Sequence, residues 1–306
     1  MGEPLTPALI RRLLSEEGRA RHSETCSPEI ASQIIRYGAV VGSRIELFER
    51  QGRCMDYGRE LLRRHEAEGR SFPSGAVLMA RELTEGKGRF ARAWHAPQGG
   101  LWFTLILVNT LLPEHGRFYP LAAGVAICET VRQLGVDAHV KWVNDVHVNN
   151  RKLAGVLIET ERGPRYGEEY VLMGIGLNVN NADFPPELSG LAVSMRQFLG
   201  RESDLDQVAA QLLAKLAWNI GLLHYAEAEA LHADEEMAAP QHPLLRRWLS
   251  LSDTIGRRVR FGFDVQSDPQ YEAVVQGLDP EGGLILQLAE DGSTVVEYSG
   301  EILYLD

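Results

Sequence analysis

Residues 139–160 read HVKWVNDVHVNNRKLAGVLIET. Asn149-Asn150 tolerates the positive φ of a tight reversal, so the stretch predicts strand, turn, strand. Packing alone does not explain every residue in it. Lys141 lies beside the bulky Trp142, so its amine either snorkels to the surface or faces a polar cleft. Asn144 and Asp145 either make a turn or serve that cleft. On the other arm, Ala154 and Gly155 let a ligand or another backbone approach a strand closely.

Working outward, EYVLMGIGLNVNN (169–181) reads as another strand, interrupted by Gly174 and Gly176. Glycines weaken a strand, so something is expected to fill the space they leave, and Asn178 beside them can present an amide to a purine edge. GAVLMARE (75–82) and GLWFTLILV (100–108) are strand-like as well. Helical patterns lie at 55–69, closed by Gly69, at 120–135, closed by Gly135, and at 205–232, where apolar residues form an i, i+3, i+4 stripe. Residues 1–45 read as helical: TPALIRRLLSEEG has a Thr cap, an early Pro and a closing Gly18, and SPEIASQIIRYG repeats that grammar to Gly38. This pair is expected to cap the main domain rather than bind DNA, because no third helix or basic recognition face follows. From about residue 250, short runs separated by Gly, Asp and Pro predict a small antiparallel barrel or sandwich.

The chain has 306 residues and a net charge of −11, which argues against nonspecific binding to nucleic acid or an anionic membrane. No apolar run approaches the roughly 18 residues of a spanning helix, and the N-terminus lacks the apolar core of a signal peptide. Three cysteines without a CxxC suit a reducing cytosol and argue against a cysteine metal site, so a cytoplasmic location is expected.

Against this acidic background, LTEGKGRFARAW (83–94) gathers Lys87, Arg89 and Arg92 on a glycine loop. The match to G-x-G-x-x-A at Gly86, Gly88 and Ala91 is not a dinucleotide fingerprint, because Trp94-His95-Ala96-Pro97 will not open the helix that must hold a pyrophosphate. Nor is it a Walker loop, since Gly follows Lys87 where Ser or Thr is required. What remains is a loop whose backbone N–H groups and cations can close on an anion.

GKGRFARAW, APQGGLWFTL, KWVNDV, RKLAGVLIE and GIGLNVN, in this order, resemble the biotin protein ligases of the biotin/lipoate ligase superfamily. The resemblance covers about residues 45–248 and extends to a tail like the family's SH3-like C-terminal domain. It implies an α+β fold: a class II synthetase-like mixed or antiparallel sheet flanked by helices, plus a small SH3-like β-barrel. The implied divisions are a helical segment 1–45, a catalytic domain 46–248 and a C-terminal domain 252–306. The implied activity uses ATP and Mg²⁺ to convert biotin to biotinyl-5′-AMP, then passes the biotinyl group to a lysine of a biotin carboxyl carrier protein. Such chemistry brings a carboxylate to a negatively charged phosphate, which cations must offset. By resemblance, Arg89 and Lys141 are the catalytic cations. Arg53, Cys54, Met55, Leu83, Lys87, Gly88 and Gly155 line the acid site, and Gly86, Arg92, Trp94, Asn144, Lys152 and Asn178 the nucleotide site. Asp145 is a candidate to orient Lys141 or the incoming lysine. No protein metal cage, no nucleic acid and no membrane is expected, and the family allows a homodimer.

The departures concentrate at one end. The family's Ser-Thr-Asn, which hydrogen-bonds biotin's ureido ring, is replaced by Arg53, Cys54 and Met55, and its Gln by Leu83. Val143 stands for the Pro of KWPND and Ala91 for a loop glycine. Either Arg53 rebuilds the lost hydrogen bonds, or an apolar pocket takes lipoate, octanoate or another acyl acid. A non-catalytic binder of acyl-adenylate or carrier domain, and a DNA-binding ligase, are the remaining readings.

Overall fold

A computed structural model describes residues 2–24, 26–163, 167–181, 183–232 and 242–305. In chain order the elements are α1 (Pro7–Glu24), α2 (Pro28–Gly38), β1 (Arg44–Phe48), α3 (Cys54–Ala67), β2 (Ala76–Ala80), β3 (Leu101–Val108), α4 (Pro113–Gly116) and α5 (Tyr119–Gln133). They continue with β4 (His139–Lys141), β5 (Asp145–Val148), β6 (Arg151–Arg162), β7 (Glu169–Leu177), α6 (Met195–Leu199), α7 (Leu205–His232) and α8 (Pro243–Leu251). The last five are β8 (Arg258–Gly262), β9 (Tyr271–Leu278), β10 (Leu284–Leu288), β11 (Thr294–Glu297) and β12 (Glu301–Tyr304).

The turn at Asn149 (φ +49) and Asn150 (φ +62) joins β5 to β6 as expected, but a further hairpin, β4–β5, precedes it. These strands end a seven-stranded sheet in the order β1-β2-β3-β7-β6-β5-β4, parallel only between β1 and β2. The tail forms a five-stranded antiparallel sheet, β11-β10-β9-β8-β12, so the α+β architecture with a small SH3-like C-terminal unit holds.

LWFTLILV in β3 is buried along nearly its whole length because both sheet faces are covered there. On one face α5 lies against β4, β5 and β6, and α7 lies against α5. On the other face α3 packs on β2, β3 and β7 through Leu61, Leu62, Leu78, Ile106 and Leu172. α3 does not reach the row Lys141–Asp145–Gly155–Gly176–Trp102, whose members are cross-strand partners and so share a face. The next row, Leu157–Gly174–Thr104–Leu78, runs parallel to it. Two neighbouring rows thus carry glycine at their centre, which leaves the sheet floor bare.

Two expectations need correction. α1 does not stop at Gly18 but runs to Glu24. A Cβ at Gly18 would lie 2.5 Å from Ile35 Cδ1, so this glycine seats α2 rather than ending a helix. Residues 1–45 are also not wholly helical, since β1 begins at Arg44 and pairs with β2. The two helices dock on α7 with Leu9, Ile10, Leu14 and Ile34 buried. Among the described residues no helix is long and apolar enough to cross a membrane.

The α2–α7 crossing needs glycine on both helices. A Cβ on Gly221 would stand 2.1 Å from Ile34 O, and one on Gly38 would stand 2.0 Å from Ala217 O. Gly221→Ala gains about 1 kcal/mol in helix propensity but forces the backbones apart, at about 1–3 kcal/mol for overpacking alone. We expect net destabilisation, read as a lower midpoint in guanidinium unfolding; an unchanged or higher midpoint would mean that α2 is not seated this tightly.

Candidate active site

The glycine loop closes over the bare rows as a small hairpin. Lys87 bridges Ala93, Gly88 N–H donates to Arg92 O at 2.9 Å, and Trp94 N–H donates to Gly86 O at 2.9 Å. Gly86 is needed because a Cβ there would meet Trp94 O at 2.4 Å. The reversal passes through Phe90, which sits in the left-handed region at φ 55, a conformation uncommon outside glycine. Beneath the loop is a hollow of about 260 Å³.

Every site residue named from the sequence except Lys141 lines this hollow. Cys54 and Met55, at the start of α3, join Leu83 and Leu157 in an apolar lobe, with Arg53 beside them. Burial pushes the Cys54 thiol up to about 12, so it stays protonated and inert. His95, Asn178, Phe184, Leu188 and Leu191 line the hollow beyond Trp94. Side chains of the protein itself occupy part of the space left by the glycines. Met55 Sδ lies where a Gly174 Cβ would be 2.8 Å from it, and the Trp94 indole covers Gly176 and Gly155. Trp94 Nε1 and His95 Nε2 are buried with no hydrogen-bond partner among the described residues.

The cations divide into two sets. Lys152 Nζ lies 2.7 Å from Asp145 Oδ1 and 5.3 Å from the Trp94 ring centroid, inside the hollow. Lys141, one strand further out in the same row as Asp145, sits over the Tyr304 ring at 4.8 Å and does not line the hollow. Burial lowers its pKa, against the pull of Asp145. Lys141 and Arg89, the pair that the resemblance implies, share carboxylate neighbours. Both feel Asp145 and Glu301, but the lysine open to the hollow is Lys152. The reason is the register. Lys141 pairs with Asp145 at the sheet edge, where the C-terminal sheet covers it.

Arg89 and Arg92 tie the loop to that C-terminal sheet. Arg89 Nη1 donates to Gly300 O at 2.7 Å, and burial lowers the Arg89 pKa against Glu301 and Asp145. Arg92 pairs with Glu301 at 2.8 Å and Asp264 at 2.5 Å, which raises its pKa. Lys87 is exposed and makes no ion pair among the described residues. Asn144 Nδ2 donates to Val156 O at 2.6 Å, and Asn178 Oδ1 accepts from Asn181 at 2.9 Å. Reading the sequence missed Glu301 and Gln266 of the C-terminal sheet region and Phe184, Leu188 and Leu191 of the segment after β7. Nothing local in those stretches marks them, because only the tertiary fold brings them to the hollow. Among the described residues no group of three or more His, Cys, Asp or Glu could hold a metal ion.

The sheet, its glycine rows and the cationic loop thus enclose one hollow, and the chain resembles known proteins over the stretches that build it. Residues 63–180 match the biotin/lipoate A/B protein ligase family, and residues 254–304 match the biotin protein ligase C-terminal domain. The chain is thus similar to that family over these two stretches. Over 153 residues it is 33% identical to the bifunctional ligase/repressor BirA of Bacillus subtilis, covering 49% of this chain and 47% of that protein. The aligned stretch thus spans about half of that relative's length. It is 29% identical over 237 residues to the biotin–[acetyl-CoA-carboxylase] ligase of Mycobacterium tuberculosis, 76% of this chain and 79% of that one. The biotin protein ligase from Aquifex aeolicus in complex with biotin and ATP superposes with a TM-score of 0.66 at 22% identity, over 86% of this chain and 98% of that one.

If Glu301 holds the loop through Arg92, Glu301→Ala should speed trypsin cleavage after Arg89 or Arg92 several-fold, followed by mass spectrometry over time. Cleavage at the unmodified rate would show that the loop's own hairpin holds it.

Proposed function

We propose that this chain activates biotin with ATP and transfers the biotinyl group to a lysine of a carrier protein. The observation that carries the reading is the shared hollow, in which an apolar lobe beside Met55 and Leu83 adjoins the Arg89–Asp145–Lys152 cluster. The named activities of the relatives support it. In the first step a carboxylate oxygen of the acid attacks the α-phosphorus of ATP, and pyrophosphate leaves. Arg89 and Lys152 lie where they can offset the charge gathered around the pentavalent phosphorus, with Asp145 fixing the Lys152 amine. Lys141 supports Asp145 from behind and is a positioning residue. Mg²⁺, carried by the nucleotide's phosphates, adds charge neutralisation when bound.

In the second step the neutral lysine amine of the carrier attacks the acyl carbon of the mixed anhydride, AMP leaves and the amine loses a proton. Alignment inside a closed site does most of this work. The hairpin loop, with Trp94 over the glycine rows, shields the anhydride from water. The reading assigns catalysis to residues 46–248, support of the loop to 252–306 and a packing role to 1–45, and it places the protein in the cytoplasm. A biotin carboxyl carrier protein is the expected partner.

Pyrophosphate exchange with a panel of biotin, lipoate and octanoate tests the proposal. Biotin should drive exchange at low micromolar concentration. Arg89→Ala and Lys152→Ala should each lower the rate by about 10²–10³, with Lys141→Ala affecting it less than Lys152→Ala. Exchange with no acid would leave only a non-catalytic binder, and a larger loss at Lys141 than at Lys152 would overturn the assignment of the cations.

A further inference from the structure

Arg53 begins α3 at the N-cap position, yet its side chain makes no cap hydrogen bond. It turns instead toward the apolar lobe, where the guanidinium, only 11% exposed, lines the hollow beside Met55. Nη2 donates to Glu159 Oε1 at 2.7 Å and approaches Met55 Sδ at 3.2 Å, while Nη1 donates to Asp56 at 3.2 Å. Glu159 is shared with Arg59, which also pairs with Asp56 and Glu161. The charges of Arg53 and Arg59 are met by these carboxylates, so the cluster offers no surplus positive charge to attract a second carboxylate. A guanidinium has five N–H donors, and the contacts above leave Nε–H and one Nη1–H uncommitted among the described residues.

We propose that Arg53 reads the distal end of the bound acid and selects a neutral hydrogen-bond acceptor there, such as a ureido carbonyl, over a plain hydrocarbon end. The inference rests on the acid-activating reading of the hollow. Around Arg53 the lobe is apolar, with Met55, Leu83 and Leu157, so a hydrocarbon tail would fit by shape but would seal donors away from water without a partner. An acceptor gains a charge-assisted hydrogen bond from a group already held in place by Glu159. Glu159 acts through Arg53 and is a positioning residue.

Calorimetric titration of the intact protein with biotin, dethiobiotin and octanoate tests this. Dethiobiotin keeps the ureido group and octanoate has only the chain. Unmodified protein should bind both ureido acids at least about 10-fold more tightly than octanoate. Arg53→Met keeps the stem and removes the donors, and should shrink that gap by about 10- to 100-fold. Arg59 still pairs Glu159 in that variant, and a melting curve checks its fold. Arg53→Lys, which keeps the charge and a donor, should recover part of the selectivity. The proposal falls if octanoate binds unmodified protein as tightly as biotin, if Arg53→Met weakens all three acids alike, or if none binds. Pyrophosphate exchange run in parallel separates the two readings: binding selectivity without exchange overturns the ligase activity alone, and exchange without selectivity overturns only the role of Arg53.

Discussion

Trp94 can lie over the sheet only because residues 155 and 176 have no side chains. A Cβ on Gly176 would come within 2.7 Å of the indole, and one on Gly155 within 3.3 Å. This contact sets the height of the loop above the floor. Trp94 N–H holds Gly86 O, so the hairpin that carries Lys87, Arg89 and Arg92 is suspended from the indole's position. The same ring offers its face to Lys152 at 5.3 Å, which helps keep that ammonium aimed inward. A β-branched residue at 176 would lift the tryptophan and open the hollow, whatever became of the cations.

The cations are assembled at an electrostatic cost that the fold offsets locally. Arg89 and Lys141 are both lowered by burial, the direction expected when a positive charge leaves water. Asp145, the cross-strand partner of Lys141 and 2.7 Å from the Lys152 amine, moderates their mutual repulsion. With a net charge of −11, the chain gathers these cations against an acidic background, which makes the hollow a local exception. Charges fixed before a substrate arrives need not reorganise when charge moves during reaction, which is where such sites gain most.

Much of this was legible in the sequence, for reasons that differ from residue to residue. The long helix runs over Leu205–His232 as its apolar stripe predicts, since a buried amphipathic pattern of that length has few alternatives. The Asn149-Asn150 turn was legible because few residue pairs accept two positive φ values in succession. The loop residues were found because glycines and cations together have no packing purpose. Gly18 was misread because a glycine that ends a helix and one that seats a neighbour look alike in one dimension. Lys141 and Lys152 lie in adjacent motifs, and only the cross-strand register, with Tyr304 closing over the edge, decides which one is open to the hollow. Glu301 lies more than 200 residues from its partner Arg92, a pairing that no local pattern encodes.

That last pairing makes the two sheets one mechanical system. Arg89, which lines the hollow, spends a hydrogen bond on Gly300 O, and its neighbour Arg92 is held by Glu301 on the same strand end. A phosphate that draws Arg89 inward must outbid a backbone carbonyl, which a charge-assisted bond to an anion does readily. Arg92 faces a different balance, since it already holds two carboxylates and gains little by leaving them. Arg89 and Arg92 are therefore held to the C-terminal sheet with unequal strength, one by a backbone carbonyl and the other by two carboxylates. The C-terminal sheet therefore serves the hollow by position, anchoring the cationic loop through Gly300, Glu301 and the nearby Asp264.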